Sequence, residues 1–155
     1  MNTKSKESPE ETSNLLPKEE CMCFPFEPKV DFRFLTYAKD KNGEEIIPSY
    51  VIRSMARPSY RFNWLGKRIY DNFEITMYDP IVPSTMQGIE TAVRNHKKWN
   101  FTIKILGPVA DIVEQWEIKN AKLCRVISTT MCWSKTGDPT IITARFKISD
   151  VTLLF

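Results

Sequence analysis

The chain has 155 residues, 42% of them hydrophobic and 26% charged, with a net charge of +3. That is the composition of one ordinary soluble domain built around a single core. Charge so close to balance argues against bulk attraction to nucleic acid, and no apolar stretch is long enough for a membrane helix.

In chain order, residues 1–28 come first. "MNTKSKESPEETSNLLPKEE" is polar, contains proline and has no aromatic residue. Such a segment cannot bury enough apolar surface to order itself, so it reads as an extended N-terminal arm. It also lacks the apolar core of a signal peptide, which places synthesis and assembly in a cytoplasm. Cys21 and Cys23 lie in the arm, while Cys124 and Cys132 fall near strands. A C-x-C with a distant second pair does not match zinc-site spacing, so no metal is expected, and the thiols read as reduced unless the protein ends up outside a cell, where disulfides stay open.

From residue 29 to 155 the pattern is that of a β domain. Phe32, Phe34 and Thr36 alternate with Arg33, Leu35 and Tyr37, Asn42-Gly43 marks a turn, and "IIPSYVIRSM" reads as a second strand. "ARPSYRFNWLGKRIY", residues 56–70, reads as a long loop. "NFEITMYD" is a strand with Phe73, Ile75 and Met77 on one face. A helix follows, with Ser84 as N-cap and Gln87 completing a capping box. Ile89, Ala92, Val93 and His96 form its apolar stripe, and Gly88 inside it costs about 1 kcal/mol against alanine.

After the helix, "NFTIKIL" sets Phe101, Ile103 and Ile105 on one side, and "GPVAD" turns. "IVEQWEIKN" sets Ile112, Trp116 and Ile118 together, and "KLCRVISTTMCW" reads as another strand. "TIITARFKISDVTLLF" alternates Ile142, Ala144, Phe146 and Ile148 with polar residues. The sum is a mainly β (α+β) sandwich or barrel of about six or seven strands with one flanking helix. Phe73, Ile75, Trp116, Ile118 and Phe146 are its expected core, with Trp116 deep inside.

Chemistry is hard to find. His96 is the single histidine and has no orienting carboxylate nearby in sequence. Gly66-Lys67 lacks the earlier glycine of a phosphate-binding loop. Asp79, Asp111 and Asp150 sit at strand ends as turn residues do. No catalytic residue, metal ligand or cofactor is expected, so the protein reads as a non-enzyme. Residues 56–70 do interleave Arg57, Arg61, Lys67 and Arg68 with Tyr60, Phe62, Trp64 and Tyr70. That mixture serves a nucleic-acid-binding β-barrel monomer or a contact between subunits, and the small net charge favours the subunit contact.

The order of elements resembles the tail tube proteins of contractile-tailed bacteriophages, a family whose fold also serves type VI inner tubes. Phe73, Ile75, Thr76 and Asp79 match the strand that enters the helix. Leu106 to Pro108 match the turn after the next strand. Glu114, Trp116, Ile118, Lys119 and Ala121 match the strand beyond it, and "IITARFKISDVTL" resembles the family's closing strand. The resemblance covers roughly residues 30 to 155. It implies a structural virion protein of the tail: hexameric rings of self-associated subunits, stacked into a hollow conduit for genome passage. Genomic DNA would traverse the lumen without sequence-specific binding, and tail sheath and baseplate or neck proteins would be partners. The same fold implies a baseplate tube-initiator as the alternative. Arg57, Tyr60, Arg61, Phe62, Trp64, Lys67 and Arg68 would then carry ring stacking.

Overall fold

The computed structural model describes residues 32–133 and 137–155. Expectations for the arm, including Cys21 and Cys23, lie outside the described residues. Ten strands and one α-helix follow in the order β1 (Phe34–Lys39), β2 (Glu45–Ile47), β3 (Ile52–Met55), β4 (Tyr60–Phe62), β5 (Arg68–Tyr70), β6 (Phe73–Tyr78), α1 (Thr85–Arg94), β7 (Trp99–Leu106), β8 (Ile112–Ser128), β9 (Ile141–Lys147) and β10 (Asp150–Leu153).

Eight strands make one bent sheet in the order β2-β1-β7-β8-β9-β6-β3, with β10 also on β8, and all pairings are antiparallel. The bend is in β8, whose first half pairs with β7 and β10 and whose second half pairs with β9. The two strands expected within residues 112–128 are therefore one strand of 17 residues. Asn120, at a φ of 54°, turns it between its two sets of partners. Asparagine tolerates this left-handed conformation better than most residues, and its N–H is held by Asn100 Oδ1 at 2.9 Å.

The segment expected as one strand, "IIPSYVIRSM", divides instead. Pro48 interrupts it, a single 3₁₀ turn spans Ser49–Val51, and the chain crosses from β2 to β3 at the other end of the bent sheet. The closing segment divides too. β9 ends at Lys147, and β10 resumes along the same β8.

The two halves of the sheet close face to face over an aromatic core. Phe101 on β7 meets Phe73 on β6 at 5.2 Å and Phe146 on β9 at 4.8 Å between ring centroids, and Trp99 meets Phe146 at 5.2 Å. Phe73, Ile75, Ile118 and Phe146 are buried in this cluster as expected. Trp116 is not. It is only partly buried at the cluster's edge, and Ile112 beside it is exposed. An indole carries an N–H that needs a partner, and Trp116 donates it to the carboxylate of Glu114. The tryptophan at the centre is Trp99, the first residue of β7.

The helix begins as its capping residues dictate: Ser84 Oγ accepts from Gln87 N–H at 3.3 Å. Asp79 adds a second anchor, its Oδ1 accepting from the N–H groups of Thr85 (2.8 Å) and Met86 (3.3 Å). Ile89 and Ala92 are buried, whereas Val93 and His96 are exposed. His96 leaves the stripe because the helix stops at Arg94 and His96 takes a φ of 49°. Its N–H bonds Val93 O and that of Lys97 bonds Ala92 O, closing the end as a Schellman motif. Gly88 lies against β2, where a Cβ would come within ordinary contact, 3.4 Å, of Ile46 O.

A candidate assembly surface

Residues 56–70 are not a loop. They form a two-stranded hairpin, β4 with β5, separate from the main sheet. Register places Tyr60 opposite Tyr70 and Phe62 opposite Arg68 on one face, with Arg61 opposite Ile69 on the other. Tyr60 packs edge-on against Phe62 (5.6 Å) and Tyr70 (5.8 Å), and the Arg68 guanidinium lies 4.9 Å from the Tyr60 ring centroid. These contacts let a short ribbon hold its shape outside the core.

The tip is tied by Asn63. Its Oδ1 accepts from Leu65 N–H (3.0 Å) and Lys67 N–H (2.8 Å), and its backbone O accepts from Gly66 N–H at 2.9 Å. Gly66, at a φ of 73°, supplies the left-handed turn. At the base, Tyr70 Oη donates to Val151 O on β10 at 3.3 Å. A well-braced arm thus presents Trp64, 91% exposed, with Leu65 and Phe62 at 68% and 62%. The structure brings Tyr60, Phe62 and Arg68 together on one face, sets Arg61 on the other, and places Trp64 and Lys67 in the tip; Arg57 precedes the hairpin. All seven are exposed.

Sequence reasoning missed the bracing role of Asn63 and the exposed Leu65. The signal was present, an asparagine followed three residues later by glycine inside an aromatic-rich run. It also missed the edges. β3 and the second half of β8 each have one side without a strand partner among the described residues, and they bound the same sheet, β3-β6-β9-β8. Such edges are templates for pairing with another chain.

The molecule is polar along β6. The hairpin enters that strand at Phe73, and the helix leaves beyond Tyr78, so the two project from opposite ends. At the helix end, Asp40, buried at 3% side-chain exposure, binds Lys97 Nζ at 3.2 Å, and Glu44 binds it at 3.3 Å. Burial alone would push the Asp40 carboxyl up. The hydrogen bond from Lys97 and the N–H groups of Asn42 and Glu44 outweigh it and hold the group below its ordinary value. Hydrogen bonds to Asp40 and Glu44 raise Lys97 in turn.

A depressed carboxyl contributes stability above its unfolded value and loses it as pH falls through the folded one. A raised ammonium contributes below its unfolded value and loses it as pH rises through the folded one. The cluster is therefore fully effective between about pH 5 and pH 9. Lys97→Met should move the acid unfolding midpoint, followed by circular dichroism, to higher pH. An unmoved midpoint would show that the pair does not hold Asp40 down.

Among the described residues, no group of three His, Cys, Asp or Glu side chains is placed to hold a metal ion. No helix there is long and apolar enough to cross a membrane. Cys124 and Cys132 are exposed and not in a disulfide.

No protein-family model and no curated protein matches the sequence. Solved structures do match. A chain of the anti-feeding prophage baseplate superposes with a TM-score of 0.57 at 15% identity, covering 83% of this chain and 97% of that one. A chain of the sheath/tube terminator of the PVC extracellular contractile injection system gives 0.60 at 13% identity, over 84% and 99%. The Hcp1 protein of E. coli EAEC 042 gives 0.58 at 12% identity, over 79% and 91%. The fold is the tail-tube fold.

The match runs over nearly the whole of each of these neighbours.

Proposed function

We propose that this protein is a structural subunit of a tail tube in a phage or a related contractile injection machine. Its hexameric rings stack into a hollow conduit for genome passage, and its role is not catalytic. The observation that carries this reading is the pair of open edges on β3 and on the second half of β8, at opposite sides of one sheet. Pairing β8 of one copy with β3 of the next continues the sheet around a ring and covers both of these edges. The hairpin at one end and the helix at the other make the axial contact head-to-tail, the kind that grows a filament.

The self-assembled rings would meet tail sheath outside and baseplate or neck proteins at the ends, in a virion tail assembled in the host cytoplasm. The arm, residues 1–28, would reach a neighbouring subunit or the sheath. Its deletion should leave the domain's melting temperature nearly unchanged and weaken assembly, whereas a fall of more than about 5 °C would tie the arm to its own core instead.

Negative-stain microscopy of the purified full chain tests the whole reading: rings and tubes are expected, and single particles at every concentration would overturn it. A baseplate initiator or a terminator is the second reading, favoured by likeness to chains of the anti-feeding prophage baseplate and of the tube-terminating cap. Its sign is rings that never lengthen alone.

A further inference from the structure

We propose that the outward face of the β3-β6-β9-β8 sheet contacts the phosphate backbone of duplex nucleic acid. Its location in a tube bore rests on the ring reading above; its binding chemistry does not. On the inward face, Ile142, Ala144 and Phe146 of β9 point into the core and fix the direction of their neighbours. Facing outward, two successive cross-strand pairs set cation against cation: Lys122 is opposite Lys147, and Arg125 is opposite Arg145. Arg53 lies on this face too, over the Tyr78 ring at 5.8 Å. Glu74, opposite Arg145 and paired with it, is the one carboxylate set among them in register. No described carboxylate forms an ion pair with Lys122, Arg125 or Lys147.

Like charges directly opposite one another destabilise a sheet. The other half of the sheet avoids them: Lys39 faces Asn100 and Glu45, Lys104 faces Gln115, and Lys119 faces Asp150. Glu74 offsets one of these pairs through Arg145, which leaves Lys122, Arg125 and Lys147 to be balanced by something anionic outside the chain. Beside these rows, Thr76 stands opposite Thr143 and adds two hydroxyl donors. Lysine, arginine and threonine together are the donors that hold phosphate without reading sequence. An acidic protein would want aromatic or apolar anchors at the centre of its footprint. Here the register rows beside the cations hold threonine, and the two large apolar side chains on the face, Ile127 and Tyr78, are only 37% and 38% exposed.

The test uses the full chain and a random-sequence 30-bp duplex, followed by fluorescence anisotropy between about 50 and 200 mM KCl. Wild type should bind with strong salt dependence. Arg125→Gln with Lys147→Gln removes one cation from each repulsive pair. It should lower the slope of log affinity against log salt by about two, since each lost phosphate contact removes roughly 0.9. The same variant should melt higher than wild type at low salt, a gain that disappears in high salt. Unchanged binding by this variant would overturn the proposal, as would wild type failing to bind the duplex. Loss of binding on Arg61→Gln with Arg68→Gln instead would move the contact to the hairpin. Preference for a polyglutamate peptide over the duplex would mean an acidic protein partner and would equally overturn it. Microscopy of the same samples keeps the two readings apart: duplex binding by single particles removes the tube and keeps the surface, and tubes indifferent to DNA do the reverse.

Discussion

Trp99→Ala is expected to be the most damaging single change in this chain. The indole is 2% exposed and stacks on Phe101 at 6.1 Å while meeting Phe146 at 5.2 Å, so it joins the two halves of the sheet. Removing it leaves a cavity that strands on both sides cannot collapse to fill, at a cost of about 3–5 kcal/mol. A domain of this size should then melt at least about 10 °C lower. Trp116→Ala should cost clearly less, because that ring is only partly buried and its N–H already turns to Glu114. Thermal melts of the two variants decide the matter, and an equal or greater loss for Trp116→Ala would misplace the centre of the core.

The contrast between these tryptophans shows how much was legible beforehand. Alternation identified β6, β7 and β9 and the inward sets Phe73–Ile75–Met77, Phe101–Ile103–Ile105 and Ile142–Ala144–Phe146, because a half-buried strand writes its burial directly into a period of two. The helix start was legible because capping needs particular side chains, Ser84 above all. Depth in the core was not legible. Trp116 and Trp99 both sit in alternating runs, and only the cross-strand register places Trp99 between Phe101 and Phe146.

The single strand β8 was hidden for a related reason. Asn120 resembles a turn residue, and it does bend the chain, but the strand continues through it onto new partners. Pro48 was the opposite case: a true break inside a run apolar enough to pass for one strand. In the assembly surface, residue type was legible and geometry was not. The run of arginines and aromatics raised the expectation of a contact. That it stands out as a braced hairpin depends on Asn63, Gly66 and the Tyr60–Tyr70 pairing, local contacts that composition does not reveal. The two open edges could not be read at all, since an edge is defined by what does not pair with it.

The second large effect concerns that hairpin. Arg57→Glu, Arg61→Glu and Arg68→Glu together should abolish ring stacking while the domain stays folded. Outside the hairpin's own contacts these side chains are solvated, so the fold loses little beyond the Arg68–Tyr60 stacking, worth about 0.5–1 kcal/mol. Across an axial interface the same change sets carboxylates against whatever acidic groups the arginines met, and like-charge juxtaposition there costs several kcal/mol. Trp64→Ala with Leu65→Ala probes the same contact without altering charge. Trp64 and Leu65 are among the most exposed apolar residues described. An apolar tip held this rigidly has little conformational freedom left to lose on docking, the condition under which an aromatic anchor contributes most to binding. Both variants should keep the wild-type melting temperature within about 3 °C and give isolated rings or monomers by microscopy. Full-length tubes from both would remove the hairpin from the axial contact. Tubes from the alanine pair alone would leave charge, rather than the apolar tip, as what holds one ring to the next.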